Sequence, residues 1–190
     1  MSASTAARRT TSPSRPLDTY LAVASKRDRR RYADRPIPDD VVTRILDAGR
    51  LAGSAVNRQP WTFVVVDNPE LKGRLAEAVY AGDNVRGAAL AIAIATKDGG
   101  SGLDVGRAMQ NMLLVAWNDG VVSCPNGMPD AAAAARVLGL EDGLLPVNIP
   151  SFGYPARPLT PEDRSAEEWS TEANRKPLEE VVRRPRAGTQ

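Results

Sequence analysis

Apolar residues recur at helical spacing in several stretches of the chain and run without interruption in two others. Leu17, Tyr20, Leu21 and Ala24 predict a short amphipathic helix, and Val41, Val42, Ile45, Leu46 and Ala48 mark the inner face of a second, with Asp39 and Asp40 as N-cap candidates. Thr62 to Val66 and Leu90 to Thr96 are continuous apolar runs, the signature of strands covered on both faces. Between them, Asn68-Pro69 opens a helix with proline at its first position and a Leu71, Leu75, Val79 stripe. Asp104 to Asn118 predicts a helix that is apolar nearly all round, hence central or interfacial. Pro129 to Leu138 predicts another, closed by Gly139. Leu145 to Tyr154 predicts a third strand, and Pro146 and Pro150 assign it an edge or bulged position.

The ends of the chain differ from this middle. Residues 1–16 are rich in Ser, Thr, Ala and Arg and lack the apolar stretch of a secretory signal, so they predict a disordered arm. Residues 17–185 then form a single domain. Its tail, 156–190, is polar and proline-punctuated, but Trp169, Leu178, Val181 and Val182 give it something to bury. A tail with few contacts to its own core is suited to wrapping a partner subunit.

A length of 190 residues suffices for one domain with a real core, and 42% apolar with 25% charged residues is ordinary for a soluble protein. A net charge of only +2 gives no overall case for nucleic acid or membrane as partner. No apolar run approaches the ~20 residues that span a bilayer, and a cytoplasmic location is expected. With no histidine and a single cysteine, a Ser-His-Asp triad, a Cys-His pair, a disulfide and the usual zinc sites are excluded. Chemistry must come from carboxylates, Arg, Lys and hydroxyls, or from a borrowed cofactor.

Four segments carry candidate chemistry. Lys26-Arg27-Asp28-Arg29-Arg30-Arg31 crowds cations that repel unless solvent or an anion separates them; taken alone, it reads first as a solvated turn. Gly53-Ser54-Ala55-Val56-Asn57-Arg58-Gln59-Pro60-Trp61 is a loop whose Asn and Gln both donate and accept, as a planar heterocycle with mixed polar edges requires. Asp104 to Met112 places Gly106 and Ala108 where something can approach closely, and Gln110 and Asn111 as amides in an apolar helix. Arg175-Lys176-Pro177-Leu178-Glu179-Glu180 is a second basic site, and the two basic sites would make a phosphate clamp if they met.

In this order the segments resemble the nitroreductase family of FMN enzymes over roughly residues 20–182, most specifically in Asn57-x-Gln59-Pro60-Trp61 and Arg175-x-Pro177-Leu178-Glu179-Glu180. The resemblance implies an α+β fold: a three-layer α-β-α sandwich with a mixed, mainly antiparallel central sheet, a domain-swapped tail, and a homodimer with flavin at the interface. It implies that Lys26, Arg27 and Arg30, aided by Arg175, hold the FMN phosphate and ribityl chain. Gly53 and Ser54 would come from the other protomer, Asn57 and Gln59 would shape that loop, and Gln110 would lie near the isoalloxazine. Ser123 to Gly127, Cys124 included, would supply contacts near its reactive edge. The activity implied is ping-pong hydride transfer from NAD(P)H through FMN to an electron-poor small molecule, with no side chain needed as general acid or base.

The chain departs from the family pattern at several of these positions. Asp28 stands in place of serine, Gly53 in place of proline, and Ala173 in place of the first basic residue of the terminal pair, leaving Arg175 beside Lys176. Val122 to Gly127 also differs from the common motif, and the short stretch between the Leu71 helix and the Leu90 strand leaves little room for a lid. Asp28, Gly53 and Ala173 favour an alternative, a flavin-binding or sequestering protein without turnover. A nucleic-acid reading, through Arg8, Arg9, Arg15 and the Arg29 cluster, is opposed by an aromatic content of 5% that gives no interleaved stacking rings. Cys124, without a histidine beside it, reads first as a small buried side chain.

Overall fold

The structure, a computed structural model, describes residues 18–97 and 102–185. The N-terminal arm, with Arg8, Arg9 and Arg15, and Leu17 lie outside the described residues. The helices are α1 (Thr19–Ser25), α2 (Asp39–Arg50), α3 (Pro69–Ala76), α4 (Gly82–Arg86), α5 (Gly102–Asn118), α6 (Ala131–Leu138), α7 (Ala166–Thr171) and α8 (Leu178–Val181). The strands are β1 (Trp61–Val66), β2 (Leu90–Lys97), β3 (Val122–Cys124), β4 (Leu144–Asn148) and β5 (Ser151–Gly153).

One sheet carries the fold, in the order β1-β2-β5-β3, with β4 also paired to β2. Every pairing among the described strands is antiparallel. Alternate side chains of a strand point to opposite faces, and β2 shows the consequence. Leu90, Ile92 and Ile94 enter a core with Val41 and Ile45 of α2 and with Val105, Met112 and Leu113 of α5. Ala91 and Ala93 face the other way, toward Leu75 of α3 and Ala134 of α6. The result is an α-β-α sandwich. Each fully buried Ile or Leu contributes about 1.5–3 kcal/mol to it. Between α2 and α5 the packing is close enough to need a glycine: a Cβ at Gly49 would sit 2.8 Å from Met112 Sδ and 2.8 Å from Phe63 Cζ.

Several elements differ from the expectations. The Thr62–Val66 run is an edge strand, half-buried, with Thr62 and Val65 exposed, because only β2 flanks it. An apolar run specifies a strand but not what covers it. The stretch Leu145–Tyr154 is two strands, split at Pro150, whose carbonyl accepts from Ile92 N at 2.9 Å. The first of them shifts register at Ile94/Ala95; the second lies inside the sheet, between β2 and β3, not at its edge. β3, three residues long, was too short to show a period.

Helix ends follow local chemistry, with two revisions. Asn68 Oδ1 caps α3 by accepting from Leu71 N at 3.0 Å, and Gly139, at φ 64°, closes α6. Asp130 caps α6 by accepting from Ala132 N and Ala133 N, so the helix begins past Pro129. Asp39 and Asp40 lie inside the first turn of α2, where their charge suits the helix dipole, while the N-cap position is Pro38. The buried face of α1 is Ala22 and Ser25, and Tyr20 is exposed. Ser25 Oγ accepts from Trp117 Nε1 at 2.9 Å, a polar anchor that apolar periodicity cannot reveal.

Part of the tail folds back on its own chain. α7 starts with a capping box, Ser165 and Glu168, and its Trp169 carbonyl accepts from Arg27 Nη2 at 2.9 Å beside α1. Beyond it, Leu178, Val181 and Val182 are exposed.

Candidate functional site

The basic run leaves the end of α1 and passes along β3, where Arg29 N donates to Ser123 O at 3.0 Å. It then pairs with the segment after β5: Tyr32 bridges Pro155, Ala33 N donates to Tyr154 O at 2.8 Å, and Ala156 N donates to Arg31 O at 3.3 Å. This pairing closes a concavity of about 520 Å³ lined by Asp28, Arg29, Arg30, Arg31 and Arg157, with Pro155, Ala156 and Leu159 as its apolar wall. Four arginines and one aspartate line one hollow, which makes the site strongly positive.

The run's cations are committed differently. Lys26 Nζ forms an ion pair with Asp28, the residue that stands where serine was expected. Arg27 donates to the carbonyls of Ala24 at 2.7 Å, Lys26 at 2.9 Å and Trp169 at 2.9 Å. Its guanidinium also lies 5.4 Å from the Trp169 ring centroid. Arg27 thus ties α1 to α7. Arg30 faces Cys124, whose side chain raises the guanidinium's pKa first by hydrogen bonding and then by charge, with Asp28 adding to the effect.

Behind Arg30 is a buried polar network. Cys124 is buried, and Asn84 Nδ2 approaches its Sγ at 3.7 Å. Asn84 also donates to Asn126 Oδ1 at 2.9 Å. Asn126 Nδ2 lies 3.0 Å from Cys124 O, 2.8 Å from Ile149 O and 3.2 Å from Ser151 Oγ. Ser151 Oγ in turn meets Tyr32 Oη at 2.8 Å. Burial pushes the Tyr32 phenol up to about 12 against the counteracting Ser151 bond. Ser123 Oγ, on the same strand as Cys124, is buried without a partner.

A second concavity, about 660 Å³, is lined by Leu51, Ala52, Gly53, Gly102, Leu103, Gly106, Arg107, Gln110 and Asn111. It unites Gly53 with Gln110 along the outer side of α5, so this helix buries one face and presents a mixed one. A Cβ at Gly53 would lie 2.5 Å from Arg107 Nη2, so the glycine found in place of proline makes room for that guanidinium. At the lip of this hollow the loop holds an unusual backbone, with Val56, Asn57 and Gln59 at φ 46°, 55° and 48°. Ser54 Oγ accepts from Gln59 N at 2.8 Å and Asn57 Oδ1 accepts from Gln59 Nε2 at 3.3 Å. The left-handed region is unfavourable for a β-branched residue such as Val56, whose side chain is 84% exposed.

The structure thus brings Asp28 and Arg30 together, Gly53 with Gln110, and Ser54 with Asn57 and Gln59. Arg175 and Lys176 line neither concavity; Arg175 Nη1 donates to Ala173 O at 3.1 Å, and both residues are exposed. Arg157 was not singled out from the sequence, since an arginine between Ala156 and Pro158 carries no motif. Asn84 was equally silent, being an isolated amide in a short helix, and Asn126 fell within the Ser123–Gly127 segment without its part as a buried hub being legible.

The sequence model of the Nitroreductase family matches residues 23–98 and 80–154, and the chain belongs to that family. A relative from Methanothermobacter thermautotrophicus, named "Putative NADH dehydrogenase/NAD(P)H nitroreductase", is 29% identical over 150 residues, covering 74% of this chain and 78% of the relative. Among solved structures, a nitroreductase family protein from Clostridium difficile 630 aligns with TM-score 0.72 and 25% identity over 92% of this chain and 100% of its own. A "putative nitroreductase in complex with FMN" from Desulfovibrio desulfuricans aligns with TM-score 0.74 and 29% identity, covering 89% of this chain and 98% of that one.

Proposed function

We propose that the chain is an FMN-dependent NAD(P)H oxidoreductase reducing electron-poor small molecules such as nitroaromatics or quinones, and that it acts as a cytoplasmic homodimer. The observation that carries this is the four-arginine concavity beside the Cys124–Asn126 segment in a chain of the nitroreductase family. Forked, permanently charged donors suit a phosphomonoester, and the FMN found with a relative of 29% identity makes the flavin phosphate the natural occupant. Bound FMN would supply hydride acceptance and donation, chemistry that no side chain of this chain offers.

The chain's own residues would bind and orient. Lys26, Arg27 and Arg30 would serve the phosphate side, with Asp28 tempering their charge. Ser123 and Cys124 would back the reactive edge of the ring. Gly53, Ser54, Asn57, Gln59 and Gln110, gathered about the second hollow, would meet the flavin bound to the partner. Arg175 and Lys176 would add cations once the tail, with its exposed Leu178, Val181 and Val182, docks across the dimer. Among the described residues no helix is long and apolar enough to cross a membrane.

The test is turnover: under anaerobic conditions, purified protein loaded with FMN should oxidise NADH or NADPH beyond one equivalent of flavin only when a nitroaromatic or quinone is present. Sedimentation at micromolar concentration should give a dimer, and a clean monomer would contradict the shared site. The ion pair of Lys26 with Asp28 favours a second reading, a flavin-sequestering protein of the same fold. Stoichiometric FMN without nicotinamide oxidation would select it.

A further inference from the structure

Resting on the flavin reading, we infer that Arg157 is a phosphate-binding residue of this chain, taking with Arg30 a share of the anchoring role that Lys26 and Arg27 fill only by giving up their present partners. The commitments described above supply the reason. Lys26 spends its charge on Asp28, and Arg27 spends its N–H groups on three main-chain carbonyls and its face on Trp169.

Arg157 occupies the opposite condition. It is exposed at the rim of the basic concavity, with no carboxylate paired to it among the described residues. Its place there is fixed by backbone. The Tyr32–Pro155 bridge and the Ala156 N to Arg31 O bond align the two segments antiparallel, which sets Arg157 opposite Arg30. The lining carries four arginines against the single carboxylate of Asp28, a surplus of three positive charges that repel one another across the hollow. A dianionic phosphomonoester relieves that repulsion and matches the forked donors.

The experiment compares FMN with riboflavin, which lacks the phosphate, by quenching of flavin fluorescence in titrations of the intact protein. Wild type should bind FMN more tightly than riboflavin, by a margin that shrinks with added salt. Arg157→Ala should weaken FMN about tenfold, in line with loss of one charge-assisted bond, and leave riboflavin unchanged. Arg157→Lys should recover part of the loss. Arg136→Ala, which removes an equal charge on α6, should change neither titration. Equal weakening of both flavins by Arg157→Ala would assign the residue to structure and overturn the inference, as would no change in either. A wild type that binds FMN but does not prefer it to riboflavin would also overturn it while leaving the flavin reading intact. A wild type that binds neither would overturn both.

Discussion

Tyr32 Oη and Ser151 Oγ lie 2.8 Å apart, joining the end of the basic run to the strand that pairs with β3. The ring of Tyr32 covers Gly153, where a Cβ would fall 2.7 Å from Cδ1. One side chain therefore supports both the backbone pairing that frames the basic concavity and the amide network behind it. Tyr32→Phe should lower unfolding free energy by about 1 kcal/mol, measured by urea titration. Gly153→Ala forces ring or strand to move and should cost about 1–3 kcal/mol.

The same phenol gives a pH dependence. Its pKa is raised by burial from 10.0 to about 12, so the fold favours the neutral form. Its contribution is complete below pH 10 and lost as pH rises toward 12. Urea midpoints of wild type and Tyr32→Phe should therefore converge over that window. A constant difference across it would contradict the assignment.

Asn126 is the hub of the buried network, and its removal takes the side-chain donor from the Ile149 carbonyl and the carbonyl acceptor from the Asn84 amide, leaving the Cys124 carbonyl to Ser151 Oγ alone. Asn126→Ala should cost about 3 kcal/mol, read as a fall in urea midpoint. Asn126→Asp, which sets an acceptor against those carbonyls, should be no better tolerated.

These relationships mark where sequence reading stops. The two continuous apolar runs, the Asn68-Pro69 helix start and the Gly139 stop were legible because each depends on neighbours in the chain. The division of β4 from β5 was not: Pro150 reads as an interruption, and only the Ile92 N–H shows that its carbonyl still serves the sheet. Tyr32 and Ser151 are 119 positions apart, and Arg157 joins the basic run through the Tyr32–Pro155 bridge and the two backbone bonds that flank it. Arg27 and Arg30 were singled out alike by charge. The fold separates them, turning one toward carbonyls and Trp169 and the other toward Cys124.

Asp28 restrains the basic site, and Asp28→Asn should release Lys26 from its ion pair. FMN affinity should rise several-fold at low salt, with the gain fading as salt is added. Thermal stability should fall by no more than about 1 kcal/mol, because the Asp28 end of the pair is half open to solvent. Fluorescence titration alongside a melting curve separates the two effects.

The most direct test of the account is the visible absorption spectrum of the protein, purified with FMN supplied and then treated anaerobically with NADH or NADPH. The account predicts the bands of an oxidised flavin that co-elute with the chain and bleach on addition of the nicotinamide, then return when a nitroaromatic or quinone is added. A colourless protein that cannot be loaded with FMN would contradict it.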